Sequence, residues 1–127
     1  MRFFFDNNLP ARLAKALNAL AEPDHSVVHL KDKFPQDTSD AVWMTKLGEE
    51  RDWVIVSGDL CIRKNPHEIK AWRAAGHTTF FLKRGWINLK FWDQAQKMVK
   101  CFPDLIARAE QAKRSSQFQV GVNGKIE

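Results

Sequence analysis

The chain has 127 residues, 44% apolar and 28% charged, which fits one domain around one hydrophobic core and leaves little room for a second. No run of about 18 apolar residues occurs, which excludes a membrane span, and two cysteines, Cys61 and Cys101, supply neither a disulfide framework nor a four-ligand zinc site. The net charge of +5 is concentrated: residues 83–114 carry eight basic and three acidic side chains, so the rest of the chain balances to zero.

Arg2 to Asp6 contains a short phenylalanine run, too brief for a helix and suited to a buried strand. It looks at first like the start of an export signal. Asp6, Asn7 and Asn8 interrupt it well before the roughly 7–15 apolar residues such a signal needs, so a cytoplasmic protein is expected. Asn8 is placed to cap a helix with Pro10 in its first turn, and Leu9, Leu13, Ala16, Leu17 and Leu20 form its apolar stripe. Pro23 and Asp24 end it. Ser26 to Leu30 reads as a second strand, and the polar stretch Lys31 to Thr38, with Pro35, as a loop. Thr38 or Ser39 then caps a helix in which Val42, Trp43, Lys46 and Leu47 line up. Trp53 to Ser57 is a continuous apolar run, as in a strand buried on both faces, and Gly58-Asp59 closes it. A helix is expected from Pro66 to Ala75, ended by Gly76, and a fourth strand over Thr79 to Leu82. Residues 88–114 read as one or two helices with Pro103 as the break. Alternation of strands and helices implies a parallel sheet covered on both faces. The expected organisation is one domain over residues 1–114 and a loosely held polar tail over 115–127, where Asn123-Gly124 has only three residues after it to pair.

In open parallel sheets, sites form beyond the carboxyl ends of the strands. Asp6 ends the first strand and Asp59 follows the third, while Asp40 lies in the first turn of the helix after the second strand. Three carboxylates converging on one crevice repel each other unless a cation neutralises them, and Mg²⁺ or Mn²⁺ suits an all-oxygen site. A metal held this way activates a water and steadies the leaving oxygen of a phosphodiester. Each acid also has an ordinary explanation. Asp6 and Asp40 sit favourably near helix N-termini, and Asp59 fits a plain Gly-Asp turn.

The segment Phe3-Phe4-Phe5-Asp6-Asn7-Asn8-Leu9-Pro10 resembles the N-terminal signature of PIN-like domains, a hydrophobic strand ending in Asp followed by Asn-Leu-Pro. Ser39-Asp40 ahead of an apolar helix resembles the second acidic position, and Trp53 to Asp59 the third. The resemblance runs from about Met1 to Trp86. It implies a single three-layer α/β/α domain with a mainly parallel four- or five-stranded sheet. It further implies a metal-dependent ribonuclease, in many members the toxin of a toxin–antitoxin pair. Asp6, Asp40 and Asp59 would be its metal ligands and catalytic residues, with Asn8 and Ser57 in support. The pattern departs from the fuller one after Asp59, where Leu60-Cys61 stand in place of a fourth acid; Asp37 and Glu68 are the candidates, and one metal is expected rather than two.

Arg63 and Lys64, with Asn65, follow Asp59 closely enough to contact a phosphate, or simply form a solvated loop. His67 is weighed as a proton carrier against an ordinary surface histidine, and His25, His29 and His77 receive no role. Both cysteines are expected to be buried. Trp43, Trp53 and Trp72 fall on apolar faces; Trp92 is expected to pack, and Trp86 either packs or stacks on bases. The basic C-terminal third suits RNA, although a lysine-rich solvated face would look the same. The expected partners are RNA and a cognate antitoxin, with a homodimer left open. Two alternatives stand beside the nuclease: a non-catalytic binding module on the same fold, and a phosphatase, ranked last because Asp6-Asn7-Asn8 lacks the Asp-x-Asp spacing.

Overall fold

The computed structural model describes residues 1–50, 52–58, 70, 74 and 76–127, apart from the side chain of Asp40. Five parallel strands form one sheet in the order β2-β1-β3-β4-β5: β1 (Arg2–Phe5), β2 (Ser26–His29), β3 (Trp53–Ser57), β4 (Thr78–Leu82) and β5 (Gln117–Val120). α1 (Ala11–Ala21) links β1 to β2; α2 (Leu30–Lys33) and α3 (Asp40–Gly48) precede β3. A 3-10 turn (Arg84–Asn88) and the long α4 (Phe91–Gln111) lead into β5. No helix among the described residues is long and apolar enough to cross a membrane.

Strand alternation builds two cores. Phe3, Phe5, Val54, Val56, Phe80 and Leu82 face one layer, where Leu13 and Leu17 of α1 and Met98, Phe102 and Leu105 of α4 cover them. Phe4, Trp53, Ile55 and Phe81 face the other, under Leu30, Phe34, Trp43, Met44 and Leu47. The three phenylalanines of β1 are fully buried, each stabilising the fold by about 1.5–3 kcal/mol. β1 thus anchors both layers, and its register against β3 is set by which face each ring must occupy.

Several expectations are corrected. α1 begins at Ala11 with Pro10 in the capping position and no side-chain cap. Asn8 does not cap it, because the helix starts three residues further on and Pro10 takes the capping position; the Asn8 backbone N–H instead donates to the Asp6 carboxylate at 3.1 Å. The stripe of α1 is narrower than expected, Leu20 being 67% exposed. Leu30 leaves β2 to start the one-turn helix α2, which His29 caps: its Nδ1 accepts the Lys31 N–H at 3.0 Å. Ser39 caps α3 as expected, but the buried face is Trp43, Met44 and Leu47, with Val42 45% exposed.

Pro103 does not break α4, which runs unbroken from Phe91 to Gln111. Proline leaves the carbonyl four residues earlier without its helical donor; that residue is Val99, on the exposed side of the helix, where water can satisfy it.

The polar tail is the largest correction. Gln117–Val120 adds β5 to the sheet, with Phe118 stacked on Phe80 at 5.1 Å and Val120 fully buried. Three residues after the Asn123-Gly124 turn are enough to close a hairpin: Gln119 and Glu127 exchange backbone hydrogen bonds of 3.0 and 2.8 Å. Gly124 supplies the positive φ, +84°, that the turn needs. The returning strand pairs only briefly, through Val120 and Ile126, and covers the edge of β5.

Trp86 belongs to the core, fully buried with its Nε1–H donating to the Val120 carbonyl at 3.1 Å. Trp92, expected to pack, is instead 75% exposed. Trp72 lies outside the described residues; of the helix expected over Pro66–Ala75, only Lys70 and Ala74 are described, both helical.

Candidate functional site

β1 lies between β2 and β3, so the chain leaves it in one direction and returns on the other side. Loops diverge at such a switch point and leave a crevice beyond the carboxyl ends of the strands. Phe5 pairs with Val56, and the Asp6 N–H donates to the Val56 carbonyl at 3.3 Å, which sets Asp6 beside Ser57.

Asp6 is only 2% exposed. Its Oδ1 accepts the N–H groups of Asn8 (3.1 Å) and Gly58 (3.3 Å), and its Oδ2 accepts the Ser57 hydroxyl at 2.5 Å. A carboxylate taken out of water needs such donors, and these fix its orientation while joining the loop after β1 to the end of β3. Gly58 makes the approach possible: a Cβ there would lie 3.1 Å from the Cβ of Asn8.

Of the other expected site residues, Asn8 is exposed at the same edge and Asp40 is the first residue of α3, its side chain outside the described part. Asp59, Arg63 and Lys64 lie outside the described residues, as do Asn65, His67, Glu68 and Cys61. Asp37 is exposed ahead of α3. Among the described residues no group of three His, Cys, Asp or Glu side chains is placed to hold a metal ion. The groups that do meet here, the Asp6 carboxylate and the Ser57 hydroxyl, are oxygen donors of the kind a hard divalent cation takes.

His29, to which the sequence assigned nothing, supports this edge. It is buried, its Nε2–H donates to the Leu9 carbonyl at 2.6 Å, and its Nδ1 accepts from Lys31. Both ring nitrogens are used, so the ring ties the end of β2 to the loop that follows Asp6. A lone histidine after an apolar strand carries no such signal, because its partner is a backbone carbonyl twenty residues away.

The opposite, amino edge holds a cavity of about 600 Å³, lined in part by Asp52, Trp53, His77 and Arg114. His77 is buried there and donates its Nε2–H to the Leu47 carbonyl at 2.6 Å. Burial holds its pKa below the usual 6.5, Arg114 and Arg2 add to that, and the Leu47 carbonyl opposes it. The Cys101 thiol, on the buried face of α4, is pushed up to about 11 by burial, which makes it a poor nucleophile.

The basic third divides between the two edges and the outer face of α4. Lys83 is paired with Glu127 at 3.1 Å, whereas Lys90 and Arg108 have no ion-pair partner among the described residues.

Residues 1–84, more than half of the chain, match the family model described as PIN like domain. The matched span runs from β1 through β4 and contains Asp6, Asp40 and Asp59, leaving α4 and β5 beyond it. No curated protein and no solved structure matches the chain.

Proposed function

Because this chain belongs to the PIN-like domain family, a nuclease-type fold, we propose that it is a metal-dependent endoribonuclease working at the carboxyl edge of its sheet. The observation that carries this reading is the buried carboxylate of Asp6, held by three donors among the described residues at the switch point between β1 and β3. Asp6, Asp40 and Asp59 hold one Mg²⁺ or Mn²⁺, and Ser57 and Asn8 keep Asp6 oriented toward it. Bound there, the metal supplies an activated water and neutralises charge on the leaving oxygen. Arg63 and Lys64, just beyond Asp59, contact the phosphate. In this reading the protein is the toxin of a toxin–antitoxin pair, acts in the cytoplasm on RNA, and is restrained by an antitoxin that covers the crevice. Expression without that partner then slows growth.

One observation favours a second reading, a non-catalytic binding module. The hydrogen bonds from Asn8, Ser57 and Gly58 to Asp6 give its carboxylate a sufficient structural reason to be there. Incubation of a structured RNA pool with wild type, Asp6→Asn and Asp59→Asn, in Mn²⁺, Mg²⁺ or EDTA, separates the two. Metal-dependent cleavage that both substitutions abolish supports the nuclease. Absence of cleavage by folded wild type in either metal supports the binding module.

A further inference from the structure

A groove of about 380 Å³ opens beside the Asp6 edge, between the starts of α1 and α4, at the small end of the roughly 300–1,000 Å³ of ligand sites. Asn7 and Asn8, which directly follow Asp6, form its near end; Arg12, Lys31, Ile87 and Phe91 line its walls. Among the described residues no acidic residue lines it, and neither Arg12 nor Lys31 has an ion-pair partner. The Arg12 guanidinium is fixed 3.5 Å from the centroid of the Phe91 ring. Phe91 in turn meets Trp92 edge to face, ring centroids 5.6 Å apart. Trp92, beside the groove lining rather than in it, is 75% exposed and Ile87 54%, so the row of guanidinium, Phe91 and Trp92 ends in an open aromatic face.

Cations interleaved with exposed rings are the pattern of single-stranded nucleic-acid grooves, where phosphates meet Arg and Lys and bases stack on aromatics. The core of a protein interface is instead depleted of lysine and acidic residues, whereas here Lys31 sits in the groove wall and Lys90 directly before Phe91. Prior fixation of the guanidinium on Phe91 lowers the entropy lost on binding a phosphate.

We propose that this groove binds the single-stranded RNA segment flanking the scissile phosphate, with Arg12 and Lys31 on the backbone and Trp92 under a base. The proposal rests on the nuclease reading for the position of the cut, but the groove is tested independently of cleavage. The probe is a fluorescein-labelled ten-nucleotide single-stranded RNA of mixed sequence, titrated in EDTA and followed by fluorescence anisotropy. Trp92→Ala weakens binding by about fivefold or more, the lower range for loss of one stacked base, and Trp92→Phe restores most of it. Arg12→Ala and Lys31→Ala each reduce the slope of log affinity against log salt by about 0.7, and Lys46→Ala, on α3 across the sheet, leaves it unchanged. These losses without any cleavage in Mn²⁺ would sustain the groove and remove the nuclease. Asp6-dependent cleavage with undiminished RNA binding in all three groove variants would overturn the groove alone. Failure of wild type to bind the probe also overturns it. So does self-association that Trp92→Ala abolishes while RNA binding is unchanged, which would assign the face to a second copy of the chain.

Discussion

The two edges of the sheet share one device and use it differently. At each, a buried histidine donates Nε2–H to a backbone carbonyl at 2.6 Å: His29 to Leu9 at the carboxyl edge, His77 to Leu47 at the amino edge. At the carboxyl edge the second ring nitrogen also has a partner, the Lys31 N–H, and the nearby Asp6 collects donors from Asn8, Ser57 and Gly58. At the amino edge the ring lies beside a cavity of about 600 Å³ and under the influence of Arg114 and Arg2, with its pKa lowered. What distinguishes the candidate site is the convergence of oriented polar atoms at a topological switch point.

The most severe way to break this comparison is to remove the strand that serves both edges. The Ser116 carbonyl accepts the Thr79 N–H toward the amino edge, and the Val120 carbonyl accepts both the Lys83 N–H and the Trp86 Nε1–H toward the carboxyl edge. Truncation after Arg114 should abolish cooperative unfolding, followed by circular dichroism. A chain that still melts sharply would show that β5 is dispensable. Next in size is His29→Ala, expected to cost about 2–4 kcal/mol in urea denaturation through lost packing and loss of the partner of the buried Leu9 carbonyl and the part-buried Lys31 N–H. A loss under about 0.5 kcal/mol, the scale of an ordinary surface substitution, would mean the ring is not a strut. Gly58→Ala should cost on the order of 1 kcal/mol as the loop at Asn8 gives way, and should weaken metal-dependent activity by more than that loss of stability explains. Equal activity would show that the approach of the two loops is not needed.

The smallest effect concerns pH. The folded pKa of His77 lies below its unfolded value of 6.5, so the unfolded chain takes up a proton first as pH falls. The contribution of His77 is fully present above about 6.5 and declines as pH drops toward the folded value. Between pH 7.5 and 5.5 the melting temperature should therefore fall less in His77→Gln than in wild type. An equal fall would place the titrating group elsewhere.

Much of the fold was legible because burial on both faces leaves continuous apolar runs, as in Phe3–Phe5 and Trp53–Ser57. β5 was not, since only Phe118 and Val120 are apolar and the strand gains its reason from β4 and from the hairpin beyond it. α2 escaped notice because its cap is a histidine. Trp92 was misjudged although the signal existed. The buried stripe of α4 runs through Gln94, Met98, Cys101, Phe102, Leu105 and Ala109, and a residue two positions before Gln94 falls about 200° away around a 3.6-residue helix. Asp6 could be picked out as the polar stop of a buried strand, but its adjacency to Ser57 depends on β1 and β3 being neighbours, which strand order alone decides.

The central claim is that Asp6 holds a divalent metal at this edge. Titration of Mn²⁺ into wild type and Asp6→Asn, with free ion read by electron paramagnetic resonance, tests it without dependence on any substrate. Wild type should take up one equivalent and Asp6→Asn should bind about tenfold more weakly or worse. Equal uptake by the two proteins would contradict the claim and leave Asp6 as a structural tie between β1 and β3.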